Sequence, residues 1–260
     1  MTMKILTIGS DRKLFEGGSD VRARVIEYGG LFEEMHIVVF TRRNFQIPKS
    51  SAKGGSASGG KFQINSKIQI SKNIFVYPTN SINKFLYVFD AYRIAKKIVY
   101  NSKFIIHNSV ISTQDPFEAG FAGWLLGRVT KIPLQLQIHT DFLSPYFAKE
   151  SFLNRIRVKI ALFLIPKANC IRVVSKRIKD SLELRIRNKE LRVSVLPIFV
   201  DLENIKREFH RIEKEFNYNS PKYGLQILIS ARLSKEKDVD LALKAITELI
   251  AENHNLSISL

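Results

Sequence analysis

Two cations stand at the junction of an apolar run and a helical pattern near the end of this sequence. The run covers residues 225–229, the helical periodicity begins at Val239, and the loop between them contains Arg232 and Lys237. Ser234 suits the N-cap of the helix. Free N–H groups and the positive dipole end at a helix start favour an anion. The junction therefore predicts an anion site, with a solvated, ordinarily capped turn as the alternative.

Strand and helix patterns alternate regularly along the sequence, and these elements position the candidate site residues. Apolar and β-branched runs predict strands, and 3.6-residue periodicity predicts helices. The predicted strands of the first 198 residues are Lys4–Ile8, His36–Phe40, Asn73–Tyr77, Phe104–His107, Leu134–His139, Ile171–Val174 and Val193–Leu196. The predicted helices are Asp20–Phe32, Ile82–Tyr100, Asp115–Val129, Ser151–Leu164 and Lys176–Ile186. Strands separated by helices indicate an α/β fold, a parallel sheet with helices on both faces.

Ligands of parallel sheets bind at the carboxyl ends of the strands, so the residues that follow strands are the ones to search for chemistry. The segments in such positions are Gly9–Gly18, His107–Asn108, His139–Asp141, Ser175 and Arg232–Lys237. Gly17 and Gly18 allow a ligand to approach the backbone closely, because glycine has no Cβ atom; an ordinary turn is the alternative. His139 is a candidate site residue, although a lone histidine at a strand end is more often structural.

The composition limits the class of protein. A chain of 260 residues with 45% hydrophobic and 25% charged residues is typical of a globular protein with a substantial core. No run of about 18 apolar residues occurs, and the first residues lack the pattern of a signal peptide. The single cysteine, Cys170, excludes an internal disulfide and gives no metal cluster, which suits a reducing cytoplasm. We interpret Cys170 as a small core residue.

The charge balance is strongly basic. The net charge is +17, from 41 basic and 24 acidic residues, which favours phosphorylated substrates, anionic lipid or nucleic acid. The basic residues are spread along the chain without a block of five, which argues against a dedicated nucleic-acid arm. The segment Phe152–Ile165 mixes apolar residues with Arg155, Arg157 and Lys159. This pattern would suit a helix on a membrane surface, but most such helices pack on a sheet, and we favour the sheet.

The sequence predicts three regions: a complete domain at 1–198, a polar linker at 199–222 and an incomplete second domain at 223–260. The third region holds one strand (225–231), one helix (236–251) and one further strand (256–260). A single βαβ unit buries too little surface to be a domain. Both strands are nearly continuous apolar runs, which are expected where both faces of a strand are covered. We therefore expect the second domain to be truncated.

Four segments, in order along the chain, resemble glycosyltransferase family 4. They are ISTQDPFEAGFAGWLLGRVTKIPLQLQIHTDF (111–142), ANCIRVVSKRIKDSL (168–182), VLPIFVD (195–201) and ISARLSKEKDVDLALKAI (229–246). The third is similar to the family's P-N-G-V-D hinge, and the fourth to its GRL-x-x-x-K-G-x-D segment. The resemblance implies the GT-B architecture, in which two Rossmann-like domains face each other across a cleft. Residues 1–198 would be the acceptor-side domain, followed by the first βαβ unit of the donor-binding domain.

The resemblance also implies an activity. Members of the family transfer a sugar from a nucleotide-sugar with retained configuration, and here we expect a hexosyltransferase-like enzyme of glycan biosynthesis. The donor would be a UDP- or GDP-sugar and the acceptor a glycan or a lipid-linked group. Because the nucleotide-sugar is a substrate, we expect neither a cofactor nor a metal ion. We expect no nucleic-acid partner, and a cytoplasmic location, either free or on the inner face of the membrane.

The same resemblance gives roles to individual residues. Arg232 and Lys237 would hold the donor diphosphate and stabilise the nucleotide as it leaves, since fixed cations lower the cost of the growing charge. Gly17 and Gly18 match the glycine-rich loop that lies close to the donor phosphates. His139 matches the histidine beside the transferred sugar and is the catalytic candidate.

Two carboxylates, Asp141 and Glu118, are the candidate acceptor-side groups. The sequence departs from the family pattern at Ser230 and Asp238, where glycine is usual, and at residues 198–199, which replace Asn-Gly. The family's two glutamates eight positions apart, which bind the donor, have no counterpart in this sequence. We therefore expect these 260 residues alone to be inactive.

Other classes of protein explain the sequence less well. A nicotinamide-binding enzyme needs G-x-G-x-x-G after the first strand, and GSDRKLFEGG does not supply it. Asp238 and Asp240 form a D-x-D pattern, but residues two apart on a helix point to different sides and do not share a metal. The main alternative is a non-catalytic remnant, a binding module for an acceptor, a partner or a polyanion.

Overall fold

A computed structural model describes residues 3–46, 67–186, 192–198, 202–215, 229 and 238–252. The chain divides into two units, Met1–Ile198 and Phe199–Leu260. The strands of the first unit are β1 (Met3–Gly9), β2 (Phe32–Val39), β3 (Ile68–Ser71), β4 (Ile74–Pro78), β5 (Ser109–Thr113), β6 (Leu134–Ile138), β7 (Cys170–Val173) and β8 (Val193–Val195). Its helices are α1 (Asp20–Gly29), α2 (Tyr87–Asn101), α3 (Glu118–Thr130), α4 (Pro145–Glu150), α5 (Phe152–Leu164) and α6 (Lys176–Arg185). The second unit contributes α7 (Leu202–Glu215) and α8 (Val239–Glu252).

The strands form one sheet in the order β3-β4-β2-β1-β5-β6-β7-β8. All neighbouring pairs are parallel except β3 and β4. From β1 the chain builds the sheet outward through β2 and β4, and then returns to the other side of β1 with β5. The predicted α/β fold with a parallel sheet is therefore confirmed. The strand order reverses between β1 and β5, which makes this position the topological switch point.

One exception to the parallel pattern was not predicted. The sequence predicted a parallel sheet and missed β3, which pairs antiparallel with β4. Lys72 and Asn73 alone connect these two strands, and so short a connection joins only antiparallel neighbours. The Asn73 amide then donates to the carbonyls of Gly29 and Phe32, which fixes this hairpin against the end of α1.

Apolar side chains cover both faces of the central strands. Alternate residues of β1 point to opposite faces, so Leu6 joins the core beneath α2, α3, α5 and α6, whereas Ile5 joins a smaller core that includes Phe15. Leu136 and Ile138 of β6 belong to the larger core and are fully buried. Burial of apolar area at roughly 25 cal/mol per Å² is the main stabilising contribution to such a layered fold.

Two glycines let α3 approach the sheet closely at the switch point. A Cβ atom at Gly123 would lie 2.5 Å from Cγ2 of Thr113, and one at Gly120 would lie 2.9 Å from the carbonyl oxygen of Asp115. Both contacts are shorter than side chains tolerate, so a larger residue would push α3 away from the end of β5. These two glycines therefore set the short distance between α3 and the end of β5, beside the candidate site.

Two predicted elements are placed differently by the structure. Phe104–His107 is not a strand; the strand that pairs with β1 is Ser109–Thr113, preceded by a 3-10 turn at Ile106–Asn108. The apolar side chain of Ile105 is 62% exposed, so this run did not mark a buried strand. The first helix ends at Gly29 instead of Phe32, because Phe32 already pairs with Met3 in the sheet.

In the second unit, the region predicted as a polar linker contains α7. Leu202, Ile205 and Phe209 recur at helical spacing along it, and all three are exposed. Helix α8 begins three residues later than predicted. The predicted strands 225–231 (apart from Ile229) and 256–260 lie outside the described residues, so the domain boundaries and the truncation stay predictions.

Replacing Leu136 by alanine should lower the free energy of unfolding by about 2–5 kcal/mol, because a fully buried leucine leaves a cavity when it is shortened. Urea unfolding followed by circular dichroism measures the change. Leu31→Ala is the matched control, since Leu31 is 75% exposed and should change the stability by less than about 0.5 kcal/mol. Equal losses in both variants would contradict this account of the core.

Candidate functional site

The carboxyl ends of β1 and β5 meet at the switch point of the sheet. The Ser10 backbone N–H donates to Oε1 of Gln114 at 3.1 Å, and the Gln114 N–H donates to the carbonyl of Ile8. A Cβ atom at Gly9 would overlap the Gln114 side chain, so glycine is needed for this side chain to lie across the end of β1. This is the crevice in which open parallel sheets bind ligands.

Asp115 lies directly after Gln114 and was not identified from the sequence. Its Oδ1 accepts hydrogen bonds from the N–H groups of Phe117 and Ala119, at 2.8 and 3.2 Å, and so caps the start of α3. Burial raises the pKa of the carboxyl to about 6. Asp115 was missed because the sequence pattern assigned it to the helix Asp115–Val129. The preceding strand was also predicted too early, at Phe104–His107 instead of Ser109–Thr113. An Asp-Pro pair after a β-branched run was the signal available.

His107 and Asn108 are therefore not where the sequence placed them. They precede β5 instead of following it, so they lie at the amino edge of the sheet, opposite the crevice. Two cavities also open beside Lys103. One of about 360 Å³ lies between the ends of α2 and α3, and one of about 200 Å³ lies by Lys4 and Ser109, near the starts of β1 and β5.

His139 follows β6 at the carboxyl edge, as predicted. Its Nε2 lies 3.2 Å from Oε1 of Gln137, which also accepts a hydrogen bond from Nη1 of Arg172 at 3.2 Å. Because Oε1 is an acceptor, a neutral His139 donates through Nε2 and keeps a lone pair on Nδ1. One side of the residue is exposed, yet partial burial of the ring, followed by the charge of Arg172, lowers its pKa. His139 is therefore a neutral imidazole at pH 7.

A row of polar side chains holds Gln137 in place. Nε2 of Gln137 donates to Oγ of Ser112 at 2.8 Å, and that hydroxyl donates to Oε1 of Gln135 at 2.9 Å. Arg172 completes the row from β7 and also reaches the carbonyl of Leu196 at 3.4 Å. Its Nε is buried and has no hydrogen-bond partner within the described part of the chain. The signal for this row was the alternation LQLQI, which places two glutamines on one face of β6.

The two predicted carboxylates occupy different environments. Glu118 accepts from Nε and Nη2 of Arg157 at 2.9 and 2.8 Å, a two-point ion pair that joins α3 to α5. Asp141 has a longer contact of 3.6 Å to Nη2 of Arg177, whose side chain is 79% exposed. Because the contact is long and Arg177 lies largely in water, Asp141 exchanges partners more readily than Glu118.

Gly17 and Gly18 form an exposed turn between β1 and α1, at the same edge of the sheet as His139. The N–H of Gly18 donates to the carbonyl of Glu16 at 3.0 Å, and Oγ of Ser19 caps α1 by accepting from the N–H of Arg22. A Cβ atom at Gly18 would meet no other atom within 4 Å. The space beside this turn is therefore open to a ligand.

The remaining predicted site residues, Arg232 and Lys237, lie outside the described residues together with Ser234. Ser175, a further position after a strand, caps α6 through its hydroxyl. In the ranges that the structure describes, no three His, Cys, Asp or Glu side chains cluster in a way that could hold a metal ion. The described helices include none with the length and apolar character to cross a membrane.

Residues 51–204 match the profile of Glycosyltransferase Family 4. The chain belongs to this family. The predicted family is thereby confirmed, and the match covers every strand of the first unit except β1 and β2. A search of curated protein sequences gives no match.

Two solved structures resemble this chain in fold with TM-scores above 0.5. A UDP-forming α,α-trehalose-phosphate synthase from Burkholderia xenovorans has a TM-score of 0.55 and 13% identity over 97% of this family 4 chain and 61% of its own. A UDP-GlcNAc 2-epimerase from Neisseria meningitidis, bound to UDP-GlcNAc, has a TM-score of 0.51 and 14% identity over 98% of this chain and 64% of its own. At this identity the likeness shows the fold alone. The chain spans about three fifths of the length of these two structures.

The raised pKa of Asp115 predicts a pH-dependent stability. The folded chain holds this proton more tightly than the unfolded chain, whose aspartate has an ordinary pKa of 3.8. The stabilisation is therefore complete below about pH 4 and is lost as the pH rises through about 6. Asp115→Asn keeps the oxygen that caps α3 but does not ionise. Between about pH 4 and 7 the unmodified chain should lose about 1–3 kcal/mol relative to this variant. Urea unfolding at several pH values measures the difference, and parallel curves for the two chains would contradict the raised pKa.

Proposed function

We propose that the enzyme carrying this chain transfers a sugar from a nucleotide-sugar to a glycan or lipid-linked acceptor, with retention of configuration at the anomeric carbon. The observation that supports this most directly is a neutral His139 held at the carboxyl edge of the sheet in a chain of glycosyltransferase family 4. The donor is a UDP- or GDP-sugar. The names of the two similar structures, which mention UDP or UDP-GlcNAc, favour UDP.

His139 acts beside the transferred sugar. As a neutral imidazole it offers a lone pair on Nδ1, and so it accepts a hydrogen bond from a sugar hydroxyl without adding positive charge at the anomeric carbon. Gln137 and Arg172 hold the ring from the opposite side, which limits its rotation. A side chain fixed by its neighbours stabilises a transition state more effectively than a mobile one, because it need not reorganise during the reaction.

By family resemblance, Arg232 and Lys237 bind the donor diphosphate, and the turn of Gly17 and Gly18 is a further candidate for donor binding. As the bond between the anomeric carbon and the phosphate oxygen breaks, negative charge grows on the departing nucleoside diphosphate. Two fixed cations then stabilise that charge, so that no metal ion is needed for this step.

The acceptor binds beside His139 in the crevice of the first unit. Asp141 is the favoured acceptor-side carboxylate, because its contact to the exposed Arg177 is long and easily exchanged. Glu118 contributes only if it releases Arg157, which its two-point ion pair opposes. We place the reaction in the cytoplasm, on the inner face of the membrane when the acceptor is lipid-linked. A non-catalytic binding module would bind the acceptor without turning over the donor.

Replacing His139 by alanine in the full-length enzyme should lower kcat at least about 10²-fold, the usual effect of removing one preorganised polar group from the reaction centre. Release of UDP or GDP from the donor in the presence of acceptor measures the rate. His107→Ala is the matched control, because this exposed histidine lies at the opposite edge of the sheet and should leave the rate unchanged. A rate that falls equally in both variants, or in neither, would contradict the role of His139.

Arg232→Ala and Lys237→Ala should each lower the transfer rate of the full-length enzyme by at least about 10²-fold, because each removes a cation from the leaving diphosphate. Lys244→Ala, on the exposed surface of α8, provides the control for loss of one positive charge. Titration of each variant with UDP by calorimetry separates weaker donor binding from slower chemistry. Unchanged turnover in both arginine and lysine variants would refute the donor site.

A further inference from the structure

The outer surface of α2, α3 and α5 carries a large excess of positive charge. These three helices pack side by side over one face of the sheet. Together they contain seven basic residues (Arg93, Lys96, Lys97, Arg128, Arg155, Arg157 and Lys159) and two acidic ones (Asp90 and Glu118). One of the acids, Glu118, is already neutralised by Arg157. We call this surface the helical face.

Three other long helices, α1, α7 and α8, do not share this excess of bases. Basic and acidic residues are equal in number in α1 and in α7, and the acids outnumber the bases in α8. Helix α6, which packs over the same core, has an excess of two bases, as many as α2. The chain therefore concentrates its basic character on one side of the first unit, which the even spread of lysine and arginine along the sequence did not indicate.

Aromatic rings alternate with the cations on the helical face in a repeated arrangement. Arg93 lies over Phe89 at 5.6 Å and Lys96 near Tyr92 at 6.0 Å, both on α2. In each pair the cation follows the ring by four residues, so that both lie on the same side of the helix. Such a pair keeps its charged end in contact with water while its ring covers apolar surface.

The same spacing recurs on the two neighbouring helices. Arg128 lies 5.6 Å from the ring of Trp124 on α3, and Lys167, just past the end of α5, lies 4.0 Å from the ring of Phe163. The rings of Trp124 and Phe163 contact each other edge to face at 5.2 Å, which joins the two helices into one surface. Four aromatic–cation pairs thus extend across three helices.

Several large apolar side chains of the helical face are exposed to solvent. Phe85, at the start of α2, is 90% exposed and Phe89 is 56% exposed. Phe152, Ile156 and Phe163 of α5 are also exposed. Exposed aromatics beside lysine and arginine match the interfacial zone of a bilayer, where rings enter the headgroup region and cations meet lipid phosphates.

We propose that the helical face docks on a membrane surface rich in anionic lipid. Charge favours this occupant over a second copy of the chain, because two such faces would bring like charges together. The exposed phenylalanines favour it over a polyanion, since phosphate contacts alone leave them in water. The proposal rests on the helical face alone and holds whether or not the chain is part of a glycosyltransferase.

Flotation with lipid vesicles tests the proposal on the chain as it exists. Vesicles of phosphatidylcholine with about 30% phosphatidylglycerol should bind the chain at least tenfold more strongly than pure phosphatidylcholine vesicles, on the scale of roughly one kcal/mol per basic residue at an anionic surface. Changing Arg93, Lys97, Arg128 and Lys159 together to glutamine should remove most of this binding. The control changes four exposed bases of the first unit outside this layer of helices to glutamine, namely Lys13, Arg24, Arg43 and Lys72, and should retain it.

A second pair of variants tests the apolar contribution. Phe85→Ser with Phe89→Ser should weaken binding to both kinds of vesicle, whereas Tyr28→Ser with Leu31→Ser, at two exposed residues near the end of α1, should not. Thermal unfolding of every variant shows which of them remain folded.

Three results would overturn the proposal. One is absence of binding to anionic vesicles; another is equal loss of binding in both glutamine variants, which would mean that only net charge matters. The third is binding of an RNA oligonucleotide that depends on the same four bases while vesicles do not bind. Sugar transfer to a soluble acceptor, measured in parallel, is independent of all three results and tests the proposed function separately.

Discussion

The parallel ladder between β1 and β5 is the constraint on which the rest of the structure depends. It sets Ile8 opposite Thr113, and thereby brings Gly9 beside Gln114 at the point where the strand order reverses. A shift of one residue in this register would turn every side chain of β5 to the other face of the sheet, so that Ile111 would leave the larger core and Val110 would enter it. The same ladder places the start of α3 over the carboxyl edge, where Gly120 and Gly123 allow the helix to lie close to the strand.

The two faces of the sheet on the β5 side have different chemistry, and the difference serves the candidate site. Beneath α3 and α5 the strands contribute Ile111, Leu136 and Val173, which are buried in an apolar core. The opposite face of the same strands carries Ser112, Gln135, Gln137 and Arg172, joined by hydrogen bonds. Partly buried polar groups are tolerated only when they are paired, so this row is held in one arrangement, and it holds His139 with it.

Positive charge lies in two separate places in the first unit, behind the crevice and on the helical face. Arg172, behind the crevice, acts through short-range contacts to Gln137 and through its effect on the pKa of His139. The helical face lies on the other side of the sheet, where its cations are exposed and act over about a Debye length. The sheet separates these exposed cations from the crevice, so that in our proposal the helical face binds an anionic bilayer without adding charge beside His139. The net charge of +17 is therefore divided between surfaces with different surroundings.

Local patterns along the sequence were sufficient for the α/β fold, for most strands and helices, and for the place of His139, Gly17 and Gly18 at the carboxyl edge. Those features follow from periodicity and from the chemistry of single residues, which a linear sequence contains. The tertiary structure decided what depends on pairing between distant segments. Ser109–Thr113 is the strand because it fits beside β1, although Phe104–His107 is equally apolar. The pKa of Asp115 is raised because the fold buries its carboxyl at the start of α3. Glu118 is held in an ion pair because α5 brings Arg157 to it. The helical face forms because three helices from different parts of the sequence pack in one layer. Such contacts are set by burial and register, and neither can be read from neighbours in the chain.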